Sequence, residues 1–380
     1  MQTLRRLALA FFAAALVLSG PAAAQSLETS ARQALLVDLS TDTELLSVNP
    51  DQRMYPASMT KLMTAYLVFE RLQNGTLSLD DAFTVSEKAW RKGGSKMFVE
   101  VGDRVKVEDL LRGIIIQSGN DATIVVAEGI SGSEEAFARE MTAKAREIGM
   151  ENTQFRNASG WPDPQHYTTA RDLAILAESL IERFPEYYHL YSQTEYTYHE
   201  ITQQNRNPLL YRNVGADGLK TGYTEESGYG LVASAAREDR RLLMVVNGLD
   251  SARERAQEAE RLIDWGFREF GAYDLFQAGE VVDEIPTWLG QRGVVPVIID
   301  RDVSVTLRRN VRDDMTVTLI TDRPLAAPIE AGQTVGEVRV EAPGLKPVSA
   351  PVKAAQSIEK LGTFGRVQAA LEYLIFGESR

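Results

Sequence analysis

The order of apolar and polar positions divides the chain into four textures. The first is terminal. Arg5 and Arg6 precede an almost unbroken apolar run over residues 7–18, and Ala22-Ala23-Ala24 follow it. A basic start, a short apolar stretch and small residues before a cleavage point make a signal peptide over residues 1–24, with Gln25 as the mature start. The run is shorter than the ~20 residues a spanning helix needs.

Residues 25–273 read as mixed α/β. Residues 34–39 form a buried-strand run closed by the turn Ser40-Thr41-Asp42-Thr43. After Pro56, the residues Met59, Leu62, Met63, Tyr66 and Phe69 recur at helical spacing. Apolar runs over 110–116 and 122–130 flank Ser118-Gly119-Asn120, and 170–182 is an amphipathic helix. Two strand patterns, 229–236 and 242–248, are joined across the polar turn Arg237-Glu238-Asp239-Arg240. Residues 254–270 make a helix able to close the domain against that sheet.

From 274 to 352 the texture is β-rich. Short β-branched runs at 294–299, 303–307, 315–320 and 334–340 are punctuated by Gly, Pro and Asp, the pattern of a small all-β sandwich. It carries no catalytic constellation and reads as a spacer or stabilising module. In the last segment, 353–380, Ile358, Leu361, Phe364, Val367, Leu371, Leu374 and Ile375 recur every three or four positions. This is an amphipathic helix whose apolar face has two possible homes, a membrane surface or the sandwich. Its near-balanced charge weakens the attraction to anionic headgroups.

Composition narrows the chemistry. A net charge of −12 without basic clusters argues against nucleic acid as a partner. The chain has no cysteine, which rules out a disulfide framework, thiolate metal sites and lipid attachment at the leader junction. Nothing in it calls for a metal or another cofactor. With three histidines, His166, His189 and His199, none in a catalytic context, a Ser-His-Asp triad is disfavoured. Each reads as a surface or packing residue.

Three short motifs remain: Ser58-Met59-Thr60-Lys61, Ser118-Gly119-Asn120 and Lys220-Thr221-Gly222. A serine hydroxyl needs a nearby base to act as nucleophile. Ser58 and Lys61, at i and i+3 on a helix, project from one face within reach of each other. In the helix's first turn, Ser58 would meet unpaired N–H groups that favour developing negative charge. Lys61 acts as base only when neutral, which burial and a second cation such as Lys220 would promote. Ser118 offers a hydroxyl for proton relay and Asn120 an amide for a substrate carbonyl. Lys220 and Thr221 present a cation and a hydroxyl from a strand edge, and Gly222 leaves room for a peptide to approach. Taken singly, these residues read as a helix N-cap, a solvated lysine, a turn and an edge lysine. The three together are the set found in penicillin-binding proteins and class A β-lactamases, with SGN in place of SDN.

On these motifs the chain resembles the low-molecular-mass penicillin-binding proteins that act as serine-type D-Ala-D-Ala carboxypeptidases. The likeness extends to Tyr55-Pro56-Ala57, residues 113–122, Asn157-Ala158-Ser159-Gly160, Asp217-Gly218-Leu219 and Asp264-Trp265-Gly266-Phe267. It implies a transpeptidase-like α/β (α+β) catalytic domain with an antiparallel sheet, a β-rich second domain and a C-terminal anchor on the outer face of the cytoplasmic membrane. It implies an exported, periplasmic enzyme that trims the terminal D-alanine from peptidoglycan pentapeptides through an acyl-enzyme on Ser58. Lys61 would be the base, Ser118 the proton relay and Asn120 a peptide-binding amide. Lys220 and Thr221 would meet the terminal carboxylate, and the N–H groups of Ser58 and Tyr223 would form the oxyanion hole. β-Lactams would acylate the same serine. Arg206 and Arg255 match positions that line the site in relatives.

The sequence departs from the family pattern at Tyr223, where some relatives carry histidine, and in a shortened 205–220 segment. The loop over residues 90–98, with Gly93-Gly94-Ser95, resembles a segment that borders the site, but it is compressed. A β-lactamase needs fast deacylation, usually with a glutamate, and no E-x-x-x-N stands between Asn120 and Lys220. Cleavage of cross-links would use the same residues. A wall-binding protein with a dead hydrolase fold is disfavoured because no motif position is lost.

Overall fold

The computed structural model describes residues 27–376. The proposed leader lies outside the described residues. The centre is a five-stranded sheet of β1 (Gln33–Asp38), β2 (Thr43–Val48), β3 (Ala216–Thr224), β4 (Gly228–Arg237) and β5 (Arg240–Leu249), in the order β2-β1-β5-β4-β3. Every pairing in it is antiparallel. Burial on both faces explains why its inner strands read as continuous apolar runs rather than alternating ones. Leu35, Val37, Val232, Leu243 and Val245 enter one core; Ala34, Leu36, Leu231, Ala233, Leu242, Met244 and Val246 enter the other.

The first core belongs to a helical lobe. It contains α1 (Lys61–Gln73), α2 (Val107–Ile115), α3 (Asn120–Ser131), α4 (Glu134–Glu147) and α5 (Ala170–Arg183). Leu62, Met63, Ala65, Tyr66, Leu67, Val68 and Phe69 are all fully buried, so α1 is enclosed on every side. A helix apolar around most of its circumference can only be stable there. On the other face lies α6 (Ala252–Glu269), entered through Ser251, whose hydroxyl accepts from Glu254 N at 3.0 Å. Its Ala259, Leu262, Ile263 and Trp265 fill the second core.

The chain passes directly from α6 into β6 (Phe270–Phe276), followed by β7 (Val281–Trp288), β8 (Val294–Ile299), β9 (Val303–Arg308), β10 (Thr316–Thr321), β11 (Leu325–Ala326), β12 (Thr334–Glu341) and β13 (Val348–Ala354). β6 and β9 form a two-stranded ribbon; the others form a six-stranded sheet in the order β10-β12-β13-β8-β7-β11. Ile285, Val297, Val305, Leu307, Val338 and Val352 form the core of this unit. Ile358, expected within the terminal helix, instead bridges to Ile329 and is buried in the same core. The helix α7 (Thr363–Phe376) begins after it.

One buried carboxylate, ion-paired within the first unit, joins the two units. Asp38, fully buried at the end of β1, accepts from Arg240 Nη2 at 2.7 Å and from Thr306 Oγ1 of β9 at 2.9 Å. Removing one member of such a pair leaves the other charge buried without compensation. Asp38→Ala should therefore lower stability in chemical denaturation by about 3 kcal/mol. An unchanged unfolding midpoint would show that the Asp38 carboxylate does not hold this junction together.

Candidate active site

The nucleophile turn is a 3-10 helix, Ala57–Thr60, which leads into α1. The sequence placed Ser58 in the first turn of an α-helix; the tighter turn sharpens the geometry, because three residues per turn eclipse positions i and i+3. Lys61 Nζ lies 2.7 Å from Ser58 Oγ, 2.8 Å from Asn120 Oδ1 and 2.8 Å from the Ser159 carbonyl. Three contacts match the three protons of an ammonium. A neutral amine keeps two of them as donor and turns its lone pair to the third. Only Ser58 among these partners has a proton to give. Lys61 is 1% exposed, and burial lowers its pKa well below the ordinary lysine value. Nearby Arg206 lowers it further, while Asp121 opposes the shift.

The second motif sits between α2 and α3. Ser118 is buried with a φ of 61°, and Asn120 opens α3. While its Oδ1 accepts from Lys61, Asn120 Nδ2 donates to Gly93 O at 2.9 Å. Gly119 has no room for a side chain, since a Cβ there would stand 2.8 Å from Asp121 Oδ1 and 3.0 Å from Met97 N. Asp121, which sequence reading did not single out, is buried and accepts from the N–H groups of Met97 at 2.8 Å and Phe98 at 2.9 Å. It fastens the loop before residue 99 against the motif.

The third motif lies on β3, an edge strand of the sheet. Lys220 and Thr221 are buried. A Cβ on Gly222 would fall 2.9 Å from Pro56 O, so only glycine lets this edge pass so close to the nucleophile turn. Burial lowers the Lys220 pKa well below the lysine range, and Lys61, Arg206 and Arg255 add to it. Lys61 and Lys220 thus act on one another, and Arg206 adds its field to both. Arg206 donates to Ser95 Oγ. Arg255 is buried under the Tyr229 ring with its Nε unpartnered among the described residues, and burial lowers its pKa to about 10. Tyr223 is exposed and stacks on Tyr229 at 4.2 Å between ring centroids.

A fourth segment, the Asn157-Ala158-Ser159-Gly160 stretch of the family likeness, completes the site. Asn157 Oδ1 accepts from Gly160 N at 2.8 Å and Trp161 N at 2.9 Å, folding the loop so that the Ser159 carbonyl meets Lys61. Gly160, at a φ of 79°, packs against Ala57 O, where a Cβ would lie only 1.7 Å away. His166 is buried beside the same turn. Its Nδ1 accepts from Arg156 N at 3.2 Å, which assigns the ring proton to Nε2, 2.9 Å from Thr60 Oγ1. Burial lowers its pKa to about 4, so the ring stays neutral. Among the described residues no group of three or more His, Cys, Asp or Glu could hold a metal.

Ser58, Ser95, Asn120, Ser159, Trp161 and Tyr223 therefore wall one open cleft of about 440 Å³. The arrangement suits acyl transfer: a hydroxyl beside a buried amine, with a lysine-bearing strand edge and the Arg206 and Arg255 guanidinium groups near it.

Comparison with known proteins follows the same lines. The family model described as D-alanyl-D-alanine carboxypeptidase matches residues 20–251, and that of the penicillin-binding protein 5 C-terminal domain matches 270–360. The D-alanyl-D-alanine carboxypeptidase DacA of Haemophilus influenzae is 36% identical over 346 residues, 90% of this chain and 88% of that one. DacC of Escherichia coli is 37% identical over 357 residues, 91% and 89% of the two chains. The crystal structure of penicillin binding protein 5 from Haemophilus influenzae superposes with a TM-score of 0.77 at 35% identity, covering 88% of this chain and 98% of that one. Penicillin-binding protein D2 from Listeria monocytogenes, in its ampicillin-bound form, does so at 0.58 and 31%, covering 63% and 98%. The chain belongs to the peptidase S11 family of D-alanyl-D-alanine carboxypeptidases, with a second domain of the penicillin-binding protein 5 C-terminal type.

Proposed function

We infer that this protein is a serine-type D-alanyl-D-alanine carboxypeptidase that removes the terminal D-alanine from peptidoglycan pentapeptides. The observation that carries the reading is the 2.7 Å contact between Ser58 Oγ and the buried amine of Lys61. Ser58 attacks the penultimate D-alanyl carbonyl while Lys61 takes its proton. The N–H groups of Ser58 and Tyr223 hold the oxyanion. Ser118 passes a proton to the departing amine, the C–N bond breaks, and free D-alanine leaves an ester on Ser58. Water then hydrolyses the ester and restores the serine.

Asn120 holds the peptide, and Lys220 and Thr221 meet its terminal carboxylate, with Gly222 allowing the approach. The positive potential of Arg206 and Arg255 favours the same carboxylate, as their effect on Lys220 indicates. A β-lactam enters the same path, but its ring opens without releasing a leaving group, so the ester persists. The ampicillin-bound form of a relative supports this inhibition. The protein thus serves peptidoglycan remodelling. Fluorescent penicillin should label the wild-type protein, not Ser58→Ala, and label Lys61→Ala at least a hundredfold more slowly, a loss in the range of general-base contributions of about 10²–10⁴. Intact labelling of Ser58→Ala would overturn the assignment.

Membrane attachment is the second part of the reading. Residues 1–24 direct export, and α7 binds the outer face of the cytoplasmic membrane. Phe364 and Leu374 are 94% and 81% exposed on α7, and Val367 and Leu371 are exposed with them. No helix among the described residues is long and apolar enough to cross a membrane, so α7 would lie in the interface. Removing residues from 363 onward should release the protein from sedimented membranes and leave its turnover of a soluble peptide unchanged. A truncated form that still sediments with membranes would rule α7 out as the anchor.

A further inference from the structure

A groove runs on from the cleft beyond the residues assigned above. Trp161, Pro162, Thr224 and Glu226 wall the cleft, and they also wall a saddle bounded by Tyr55 and Pro164. Tyr55, Pro164 and Glu226 in turn border a wider hollow of about 980 Å³. The three spaces share their walls and form one path leading away from Ser58.

The hollow has its own chemistry. Arg32, Arg53, Asn49, Gln52 and Gln154 line it. The Arg53 guanidinium lies 4.2 Å over the Tyr167 ring, and Arg32 Nε donates to Gly248 O at 3.1 Å. Among the described residues, neither arginine has a carboxylate partner. On a chain of net charge −12, two such guanidinium groups make a local preference for a carboxylate. Asn247, 2% exposed, also lines the hollow, and its Oδ1 has no hydrogen-bond partner among the described residues.

The direction of the path identifies its occupant. This step rests on the carboxypeptidase reading. With the terminal carboxylate at Lys220 and Thr221, a peptide antiparallel to β3 runs its other end past Tyr223 and Thr224. That end enters the groove at Glu226. It is the acyl half of the stem, which continues through amide bonds and free carboxylates to an N-acetylated sugar. We propose that the groove is a subsite for this sugar-linked half of the stem: Arg53 holds a carboxylate, and the carboxamides and tyrosines meet amide and hydroxyl groups.

The test compares two substrates, N-acylated Lys-D-Ala-D-Ala and a disaccharide pentapeptide, on the full chain and on Arg53→Ala. The variant should lower kcat/KM on the disaccharide pentapeptide about tenfold, mainly through KM, equivalent to about 1.4 kcal/mol. Turnover of the short peptide and penicillin labelling should stay within about twofold, which also shows that the variant is folded. Arg53→Lys should recover part of the loss. A fall on both substrates, or on neither, overturns the subsite. If the unaltered protein cleaves neither substrate, the carboxypeptidase reading fails instead.

Discussion

A buried amine without a carboxylate among its hydrogen-bond partners is the constraint around which the site is built. Charged, Lys61 would lose most of its hydration and receive only a hydroxyl, an amide oxygen and a backbone carbonyl in exchange. Neutral, it satisfies the same partners and gains a proton donor in Ser58. Each partner arrives from a different part of the fold: the 3-10 turn brings Ser58, the start of α3 brings Asn120, and the Asn157-organised loop brings the Ser159 carbonyl. Displacing any one of them changes the amine's surroundings. Arg206 adds a field in the same direction, and Asp121 opposes it while holding the neighbouring loop.

The sheet makes this convergence possible. Its two buried faces fix β3 between the helical lobe and α6, and Gly222 lets the strand edge pass the nucleophile turn in near contact. The same sheet carries Asp38 at its end, where Arg240 and Thr306 connect catalytic and β-rich units. The β-rich unit supplies no residue to the cleft. In sequence it lies between the catalytic unit and α7.

Much of this was legible in the sequence because local spacing determines it. The i, i+3 pair, the existence of α1, the 242–248 strand pattern and the span of α6 all follow from periodicity and turn residues. The overall class, an α/β catalytic domain followed by a β-rich one, follows as well. What the sequence hid depends on distant contacts. The Ser159 acceptor is a backbone carbonyl, which carries no residue signature. Asp121 acts through backbone groups on another segment, while His166, read as a surface or packing residue, is buried and bonds Thr60 and Arg156. Ile358 shares helical spacing with the residues after it, but Ile329 draws it into the β core instead. β7 carries Pro286 in its run, and β6 carries Gly271, both of which weaken a strand pattern.

The central claim, that burial holds the Lys61 amine neutral beside Ser58, is open to direct measurement. Lysine side chains labelled with ¹⁵N can be titrated by NMR, with Lys61→Arg used to assign the Lys61 resonance. Lowering the pH should protonate Lys61 only well below the ordinary lysine value of about 10.4, leaving it mostly uncharged at higher pH. A Lys61 that titrates with the exposed lysines would contradict the account.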